Sequence, residues 1–231
     1  MKAVLLAGGL GTRLYPLTLI LPKPLLMLGD RTVVEHIIEW LKGAGIDDVV
    51  IAISRNPRLF ETFMGKVEGV RVSFVESHEP LGTAGQLKHA ALNIKETFVA
   101  VYGDGIIETD LRPMLEFHMN RKPIATIMAM KVQERGKYGL LIHDEDMRLK
   151  DWEEKPVQEG WIAVGCFVFE PRFLSYIPKG RFGMDEAVRR ALRAGEEVLV
   201  YRATGRFLDL GTKEGYYRAV KEFKERMGRL P

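Results

Sequence analysis

The feature that most constrains the fold is a short apolar run, residues 3–6, that passes directly into a glycine-rich stretch. Three glycines, a threonine and an arginine follow at once: Gly8, Gly9, Gly11, Thr12 and Arg13. Glycines let backbone N–H groups close on an anion, because no side chain stands in the way. A buried strand that ends in such a turn predicts a phosphate-binding loop.

Two positive charges accompany this loop, Arg13 in the turn and the proline-flanked Lys23 after it. A dinucleotide-binding fingerprint would require Gly or Ala where Leu14 stands, and a P-loop would require Gly-Lys-Ser/Thr. Pro16 and Pro22 interrupt the stretch, so no helix is expected to open there. A plain glycine turn with a surface arginine is the remaining alternative. Together the glycines and the two cations favour a loop that grips a polyphosphate.

Size and charge exclude several function classes. The 231 residues, 46% of them apolar, suit a single domain over residues 1–231 with a full core. A net charge of +3 with acids and bases intermixed does not indicate a nucleic-acid partner. No apolar run is long enough to span a bilayer and no signal peptide is evident, so a cytoplasmic protein is expected. The only cysteine, Cys166, excludes an internal disulfide and is expected in the core.

Strand-like runs alternate with helical patterns along the chain. Predicted strands cover residues 49–53, 70–74, 98–102, 125–132, 140–143 and 162–169, and predicted helices cover 33–41, 58–64, 83–93, 111–120, 185–194 and 213–228. The order predicts a doubly wound α/β fold: a mostly parallel, Rossmann-like mixed sheet with helices on both faces. Residues 1–122 are expected to bind mainly nucleotide, and residues 123–231 mainly a second ligand on a mixed sheet.

At this point the sequence resembles a known family. The loop and Pro22-Lys23-Pro24 look like the signature of the sugar-1-phosphate nucleotidyltransferases, and further motifs follow in that family's order at residues 79–85, 103–104, 137–139, 154–156 and 207–212. They cover nearly the whole chain. Pro-Lys-Pro, the Leu-Gly-Thr-Ala-Gly run at 81–85, and Lys131-Val132 make it most similar to the mannose-1-phosphate guanylyltransferases.

The resemblance implies a Mg²⁺-dependent reaction between an NTP and a sugar 1-phosphate that gives an NDP-sugar and pyrophosphate. GTP with mannose 1-phosphate is the first expectation, and thymidylyl or uridylyl transfer to glucose 1-phosphate is the alternative. The sequence leaves open whether the chain forms a homo-oligomer. The left-handed β-helix domain of some relatives is not expected. A non-catalytic subunit that only binds a sugar nucleotide is an alternative of another class. A glycosyltransferase would require an Asp-x-Asp motif at a strand end; residues 104–106 lack it, and residues 144–146 look like a solvated turn.

Two acids are candidate Mg²⁺ ligands. Asp104 follows the strand at 98–102, where an Asp alone is often a turn former. Asp209 stands among apolar residues and needs a cation there, either a metal or a basic side chain. The family's aspartate at the position of Asp104 binds magnesium, so the resemblance favours a metal site at Asp104 and Asp209.

The remaining site residues come from the resemblance. Arg13 and Lys23 are implied as catalytic, by neutralising the phosphates. The implied nucleotide-binding residues are Leu6, Ala7, Gly8, Gly9, Gly11, Thr12, Glu79, Gly82, Thr83 and Asp104. The implied sugar-phosphate-binding residues are Gly139, Glu154, Lys155, Gly165 and Asp185. Gly82 or Thr83 could equally cap a helix, and Lys155 could be a solvated lysine in a charged stretch.

The sequence departs from the family pattern on the sugar side. Ala163 and Val164 precede Gly165 where the family often has Asn-Ala, Asp185 replaces a more usual Glu, and Phe207 replaces a Trp. The phosphate and metal motifs are intact. The identity of the sugar is therefore the expectation that the sequence supports least.

Overall fold

The computed structural model describes residues 1–54, 57–65, 67–132, 139–153 and 160–227. The strands are β1 Lys2–Leu6, β2 Met27–Leu28, β3 Arg31–Thr32, β4 Asp48–Ile53, β5 Arg71–Glu76, β6 Phe98–Tyr102, β7 Gly105–Glu108, β8 Ala125–Val132, β9 Leu140–His143, β10 Leu149–Glu153, β11 Gly160–Phe169, β12 Val198–Arg202 and β13 Arg206–Asp209. The α-helices are α1 Leu17–Ile20, α2 Val33–Gly43, α3 Pro57–Phe63, α4 Gly82–Ala90, α5 Arg112–Arg121, α6 Met184–Arg193 and α7 Lys213–Met227. In the described ranges, 3-10 turns cover Thr12–Leu14, Lys23–Leu25 and Pro171–Tyr176.

One large mixed sheet organises the chain. Its order is β10-β9-β11-β6-β1-β4-β5, and β8 pairs with both β11 and β12. Strand β1 lies between β4 and β6 and is parallel to both, while β11 runs antiparallel to β6. Strands from both the first and the second half of the sequence therefore share this sheet.

Helices cover both faces of the sheet, as the alternation in the sequence predicts. Alternate residues of β1 enter two separate cores: Ala3 and Leu5 pack with α2, and Val4 and Leu6 pack with α4 and α6. Both faces of β1 are buried from Ala3 to Leu6, which is why this part of its sequence is continuously apolar. Helix α2 begins with a capping box, in which the Thr32 side chain accepts a hydrogen bond from the N–H of Glu35. The expected α/β class is confirmed.

Strand β11 bends where it leaves β6. Its pairing with β8 shifts register between Ala163 and Phe167, and Gly165, which lies between these two residues, has φ +74°. A Cβ at Gly165 would lie 2.7 Å from the Tyr102 ring. Only glycine fits this bend, because the backbone is left-handed and the Tyr102 ring occupies the side-chain space. The bend opens a gap beside the carboxyl end of β6.

The structure differs from the expected elements in a few places. A small antiparallel sheet of β7 and β13 was not predicted, and its register places Asp209 opposite Gly105. Helix α4 ends at Ala90, before the expected residue 93. Between Pro16 and Pro22 the chain forms the four-residue helix α1 where none was expected. Over the described ranges, no helix is long and apolar enough to cross a membrane.

Candidate active site

A cavity of about 380 Å³ opens at the carboxyl ends of β1 and β6. Every predicted nucleotide-binding residue except Glu79 lines it, together with Arg13 and Lys23. Ligands of parallel α/β sheets bind at this edge, because the loops that follow neighbouring strands converge there. We call this space the loop cavity.

Lys23 is a buried cation at the wall of the loop cavity. Its side chain is nearly buried, and its Nζ donates a hydrogen bond to the backbone oxygen of Asp104 at 3.0 Å. The Oδ2 of Asp104 lies 3.5 Å from the same Nζ. Burial lowers the pKa of Lys23, while Asp104 and Asp209 act to raise it and Arg13 acts to lower it. Two cations and two carboxylates are therefore close enough to influence one another.

The small β7–β13 sheet brings Asp209 into this group. The N–H of Leu210 donates to the backbone oxygen of Asp104 at 3.1 Å, and the N–H of Gly211 donates to Oδ1 of Asp209 at 2.7 Å. The Arg13 guanidinium packs against Gly211, where a Cβ would lie 3.2 Å from its Nη2. The first and last parts of the chain thus meet at Arg13 and Gly211.

The start of α4 is fixed by the loop that precedes α6. The N–H of Ala84 donates to the Phe182 oxygen at 3.1 Å, and the N–H of Met184 donates to Oγ1 of Thr83 at 2.9 Å. The N–H of Phe182 donates back to the Leu81 oxygen at 2.8 Å. Thr83 therefore joins α4 to α6, rather than capping its own helix.

A second cavity of about 290 Å³ adjoins the loop cavity. The two share Arg13, Thr83, Tyr102 and Asp104 in their walls. The second cavity is lined by Gly139, Gly165, Asp185 and Asp209, three of which were predicted to bind sugar phosphate and one to bind metal. We call it the strand cavity, because the bend of β11 at Gly165 forms one wall.

Asp104 and Asp209 could hold a divalent cation between the two cavities. Asp104 lines both, Asp209 lines the strand cavity, and the Asp104 side chain is 46% exposed. Mg²⁺ usually takes one or two carboxylates and completes its shell with phosphate oxygens and water. No cluster of three or more His, Cys, Asp or Glu was found in the described part of the chain. The residues therefore fit a metal that is shared with a phosphate ligand rather than caged by protein.

Some predicted residues are not at the cavities. Glu79 is exposed and is outside the wall of the loop cavity, one residue before Pro80, which lines it. Glu154 and Lys155 lie outside the described residues. The acids of the Asp-x-Asp alternative, Asp144 and Asp146, form surface ion pairs and line neither cavity.

Other wall residues were missed from the sequence. Gln86, Tyr102 and Arg181 line the loop cavity, and Trp152 lines the strand cavity. Tyr102 ends β6 immediately before the Gly103-Asp104 motif, and this position could have indicated it. Gln86 directly follows the motif at residues 79–85 in the same way, whereas Arg181 and Trp152 stand outside the motifs and gave no signal.

Residues 2–226 match the family model described as Nucleotidyl transferase. The chain belongs to this family. A mannose-1-phosphate guanyltransferase of Pichia angusta is 35% identical in an alignment 226 residues long, and the match covers 94% of this chain and 62% of that protein. The chain therefore spans less than two thirds of the length of this curated relative.

Solved structures share the fold over nearly their full length. HddC from Yersinia pseudotuberculosis, complexed with GMP-PN, has a TM-score of 0.83 and 26% identity, covering 96% of this chain and 99% of that one. A Bacillus anthracis protein named as a candidate glucose-1-phosphate thymidylyltransferase, in complex with sucrose, has a TM-score of 0.87 and 25% identity, covering 97% and 96%.

Proposed function

We propose that this chain transfers a nucleoside monophosphate from an NTP to a sugar 1-phosphate, releasing pyrophosphate. The observation that carries the proposal is the junction of the two cavities, where Arg13 and Asp104 belong to both walls. An NTP in the loop cavity and a sugar phosphate in the strand cavity would meet at this junction. Membership of the nucleotidyl transferase family supports the same reaction class.

The reaction brings two anions together. A phosphate oxygen of the sugar 1-phosphate forms a bond to the α-phosphorus, and the bond from that phosphorus to the β-phosphate bridging oxygen breaks. The attacking oxygen is already ionised, so neither a general base nor a protein nucleophile is needed. No histidine is found among the described wall residues of either cavity, in keeping with this chemistry. Catalysis then depends on positioning and charge neutralisation.

Arg13 and Lys23 would supply the neutralising charge. Arg13 lines both cavities and can contact the triphosphate and the leaving pyrophosphate. Lys23 is held by the Asp104 backbone and lines the loop cavity alone, which suits the α-phosphate. Because Lys23 is buried, its charge would be screened little by solvent, and its attraction to a phosphate would be correspondingly strong.

Asp104 and Asp209 are the proposed ligands of a Mg²⁺ ion. When bound, the ion would neutralise phosphate charge and polarise the phosphorus–oxygen bonds. The fit rests on two carboxylates beside the junction of the cavities, with room left for phosphate oxygens. The carbonyl of Asp104 is already used by Lys23 and Leu210, so the carboxylate is the group left to face the ligand.

GTP and mannose 1-phosphate are the proposed substrates. The name of the Pichia angusta relative and the GMP-PN bound to HddC support this pair. Thymidylyl transfer to glucose 1-phosphate is the second candidate, favoured by the name of the Bacillus anthracis protein. Asp185 and the Ala163-Val164 pair replace family residues in the wall of the strand cavity, so the sugar must be tested directly.

The test measures pyrophosphate release from each NTP with mannose 1-phosphate, glucose 1-phosphate and galactose 1-phosphate. We expect release with at least one pair, and loss of release when a chelator removes Mg²⁺. The Lys23→Ala protein is the negative control. No release with any pair contradicts the proposal, and NTP binding without release would favour a sugar-nucleotide-binding subunit.

A further inference from the structure

Gln86 is a polar side chain in the wall of the loop cavity. It lies in the second turn of α4, four residues after Gly82, and is 9% exposed. Residues four apart share a helix face, so Gln86 and Gly82 both face the cavity. A buried amide costs free energy unless it is hydrogen-bonded.

The Gln86 amide lies against Gly8, the first glycine of the loop. A Cβ on Gly8 would lie 2.0 Å from Nε2 of Gln86 and 3.1 Å from Oε1. No side chain other than hydrogen could stand at position 8 without displacing this amide. A glycine is therefore required at position 8 for a second reason besides backbone flexibility: the Gln86 amide occupies the space that a side chain would fill.

No hydrogen bond to the Gln86 amide was found among the residues that the structure describes. The amide is nevertheless not sealed in the core, because Gln86 contributes to the cavity wall. Its donor and its acceptor are therefore available to a ligand in the loop cavity.

The surroundings of Gln86 differ from those of the phosphate-binding groups. The charged residues of the cavity wall are Arg13, Lys23, Asp104 and Arg181, whereas Gln86 belongs to α4, which directly follows Pro80 and Leu81 in the same wall. A neutral amide in a wall that also holds apolar side chains suits a nucleobase better than a triphosphate, since a base offers both a flat apolar face and hydrogen-bonding edges.

We propose that Gln86 is a specificity-determining residue that hydrogen-bonds the edge of the nucleobase. Its Nε2 donates to a ring carbonyl and its Oε1 accepts from the adjacent ring N–H, which guanine, uracil and thymine all present. This inference rests on the proposed NTP substrate, but it concerns binding and does not need turnover.

The test uses the full chain with Gln86→Met, which keeps the side-chain length and removes the amide. Calorimetry measures the Kd of GTP, UTP, dTTP, ATP and CTP, and of inorganic tripolyphosphate, which lacks a base. For the NTP that binds most tightly we expect Gln86→Met to raise Kd by about tenfold. We expect the Kd of tripolyphosphate to stay unchanged. His89→Met is the matched control, because His89 is exposed on the same helix and lines neither cavity.

An equal loss of affinity for tripolyphosphate would show that Gln86 only supports the shape of the loop, and would overturn the inference. An unchanged Kd for every NTP would also overturn it. If Gln86→Met fails to fold, Gln86→Ala replaces it with the same ligands and the same expected results. NTP binding without pyrophosphate release would reject the proposed reaction while still measuring the role of Gln86.

Discussion

Lys23 and Asp104 contact each other twice, once through the backbone and once through the side chain. The Lys23 ammonium donates to the Asp104 carbonyl oxygen at 3.0 Å and lies 3.5 Å from Oδ2. Lys23 is buried, whereas the Asp104 side chain is 46% exposed. The backbone contact holds the cation in place independently of the carboxylate. Asp104 can therefore turn towards a ligand without releasing Lys23.

Burial of Lys23 predicts an alkaline limit to activity. Its lowered pKa means that the free protein loses this positive charge at a lower pH than an ordinary lysine does. We expect kcat/KM for the NTP to fall as pH rises through this pKa. Bound phosphates would raise the pKa of Lys23, so the fall in kcat should occur at higher pH. Steady-state kinetics between pH 7 and pH 10 would measure both profiles.

Lys23→Arg is the control for this assignment. A guanidinium stays protonated over the whole range, so the alkaline fall in kcat/KM should move to higher pH even if the rate is lower. The same alkaline limb in both proteins would show that another group titrates.

Loss of Arg13 should affect the chemical step. Arg13→Ala removes a charge that both cavities share, and we expect kcat to fall by on the order of a hundredfold or more. Arg206→Ala is the control, because Arg206 pairs with Glu222 at the surface and lines neither cavity. Pyrophosphate release under saturating substrates would compare them, and an unchanged kcat for Arg13→Ala would contradict the role.

The sequence predicts most strands of the large sheet, but it did not predict β10 and β12. Predicted strands 98–102, 125–132 and 140–143 agree with β6, β8 and β9 at both ends. The runs of β6 and β8 are almost wholly buried and mostly apolar, which makes their signal local, whereas Ile142 of β9 is exposed.

The sequence could not predict how the two proposed metal ligands come together. Asp209 reaches Asp104 because β13 pairs with β7, two short strands far apart in sequence. Each strand is too short to give a periodic signal, so their pairing could not be predicted. The family motifs indicated the two acids but not that they lie close together. Gln86 was missed for a related reason. Its amide lies in the cavity wall against Gly8, which is distant in sequence, and this contact is visible only in the fold.

Substitution of Gly139 should change KM for one substrate and leave KM for the other nearly unchanged. A Cβ at this buried position would lie 1.9 Å from Nε1 of Trp152, and both residues line the strand cavity alone. We expect Gly139→Ala to displace the Trp152 ring and raise KM for the sugar phosphate severalfold. KM for the NTP should stay near its original value. Gly43→Ala, where a Cβ meets nothing within 4 Å, is the control. An equal rise in both KM values would contradict the assignment of the NTP to the loop cavity and of the sugar phosphate to the strand cavity.

Gly165 should be costly to replace for two reasons that can be separated. Gly165→Ala meets both a left-handed backbone, φ +74°, and the Tyr102 ring. Gly195→Ala has a similar φ of +84° but open space around its Cβ. We expect Gly195→Ala to lower the free energy of unfolding by about 1–2 kcal/mol, and Gly165→Ala to lower it by about 1–3 kcal/mol more. Urea unfolding would compare them, and equal losses would show that the Tyr102 contact is readily relieved.

The buried His118 predicts that the stability of the fold depends on pH. It is fully buried, with Nδ1 2.8 Å from Oγ1 of Thr126 and Nε2 3.3 Å from Oε1 of Glu170. Burial lowers the pKa of His118, although Glu170 opposes the shift. Between this lowered pKa and the ordinary value of about 6.5, the unfolded chain binds more protons than the folded one. The contribution of His118 to the free energy of unfolding therefore increases as pH rises through that window, and is lost as pH falls.

His118→Gln removes the titrating ring and keeps a polar group, so the slope of stability against pH between 5 and 7 should become smaller. The absolute stability will also change, which is why the slope and not the midpoint at one pH is the measurement. His78→Gln is the control, since the His78 side chain is 85% exposed and the same substitution should leave the slope unaltered. Equal slopes in the unmodified protein and His118→Gln would show that the buried ring does not set the acid sensitivity of the fold.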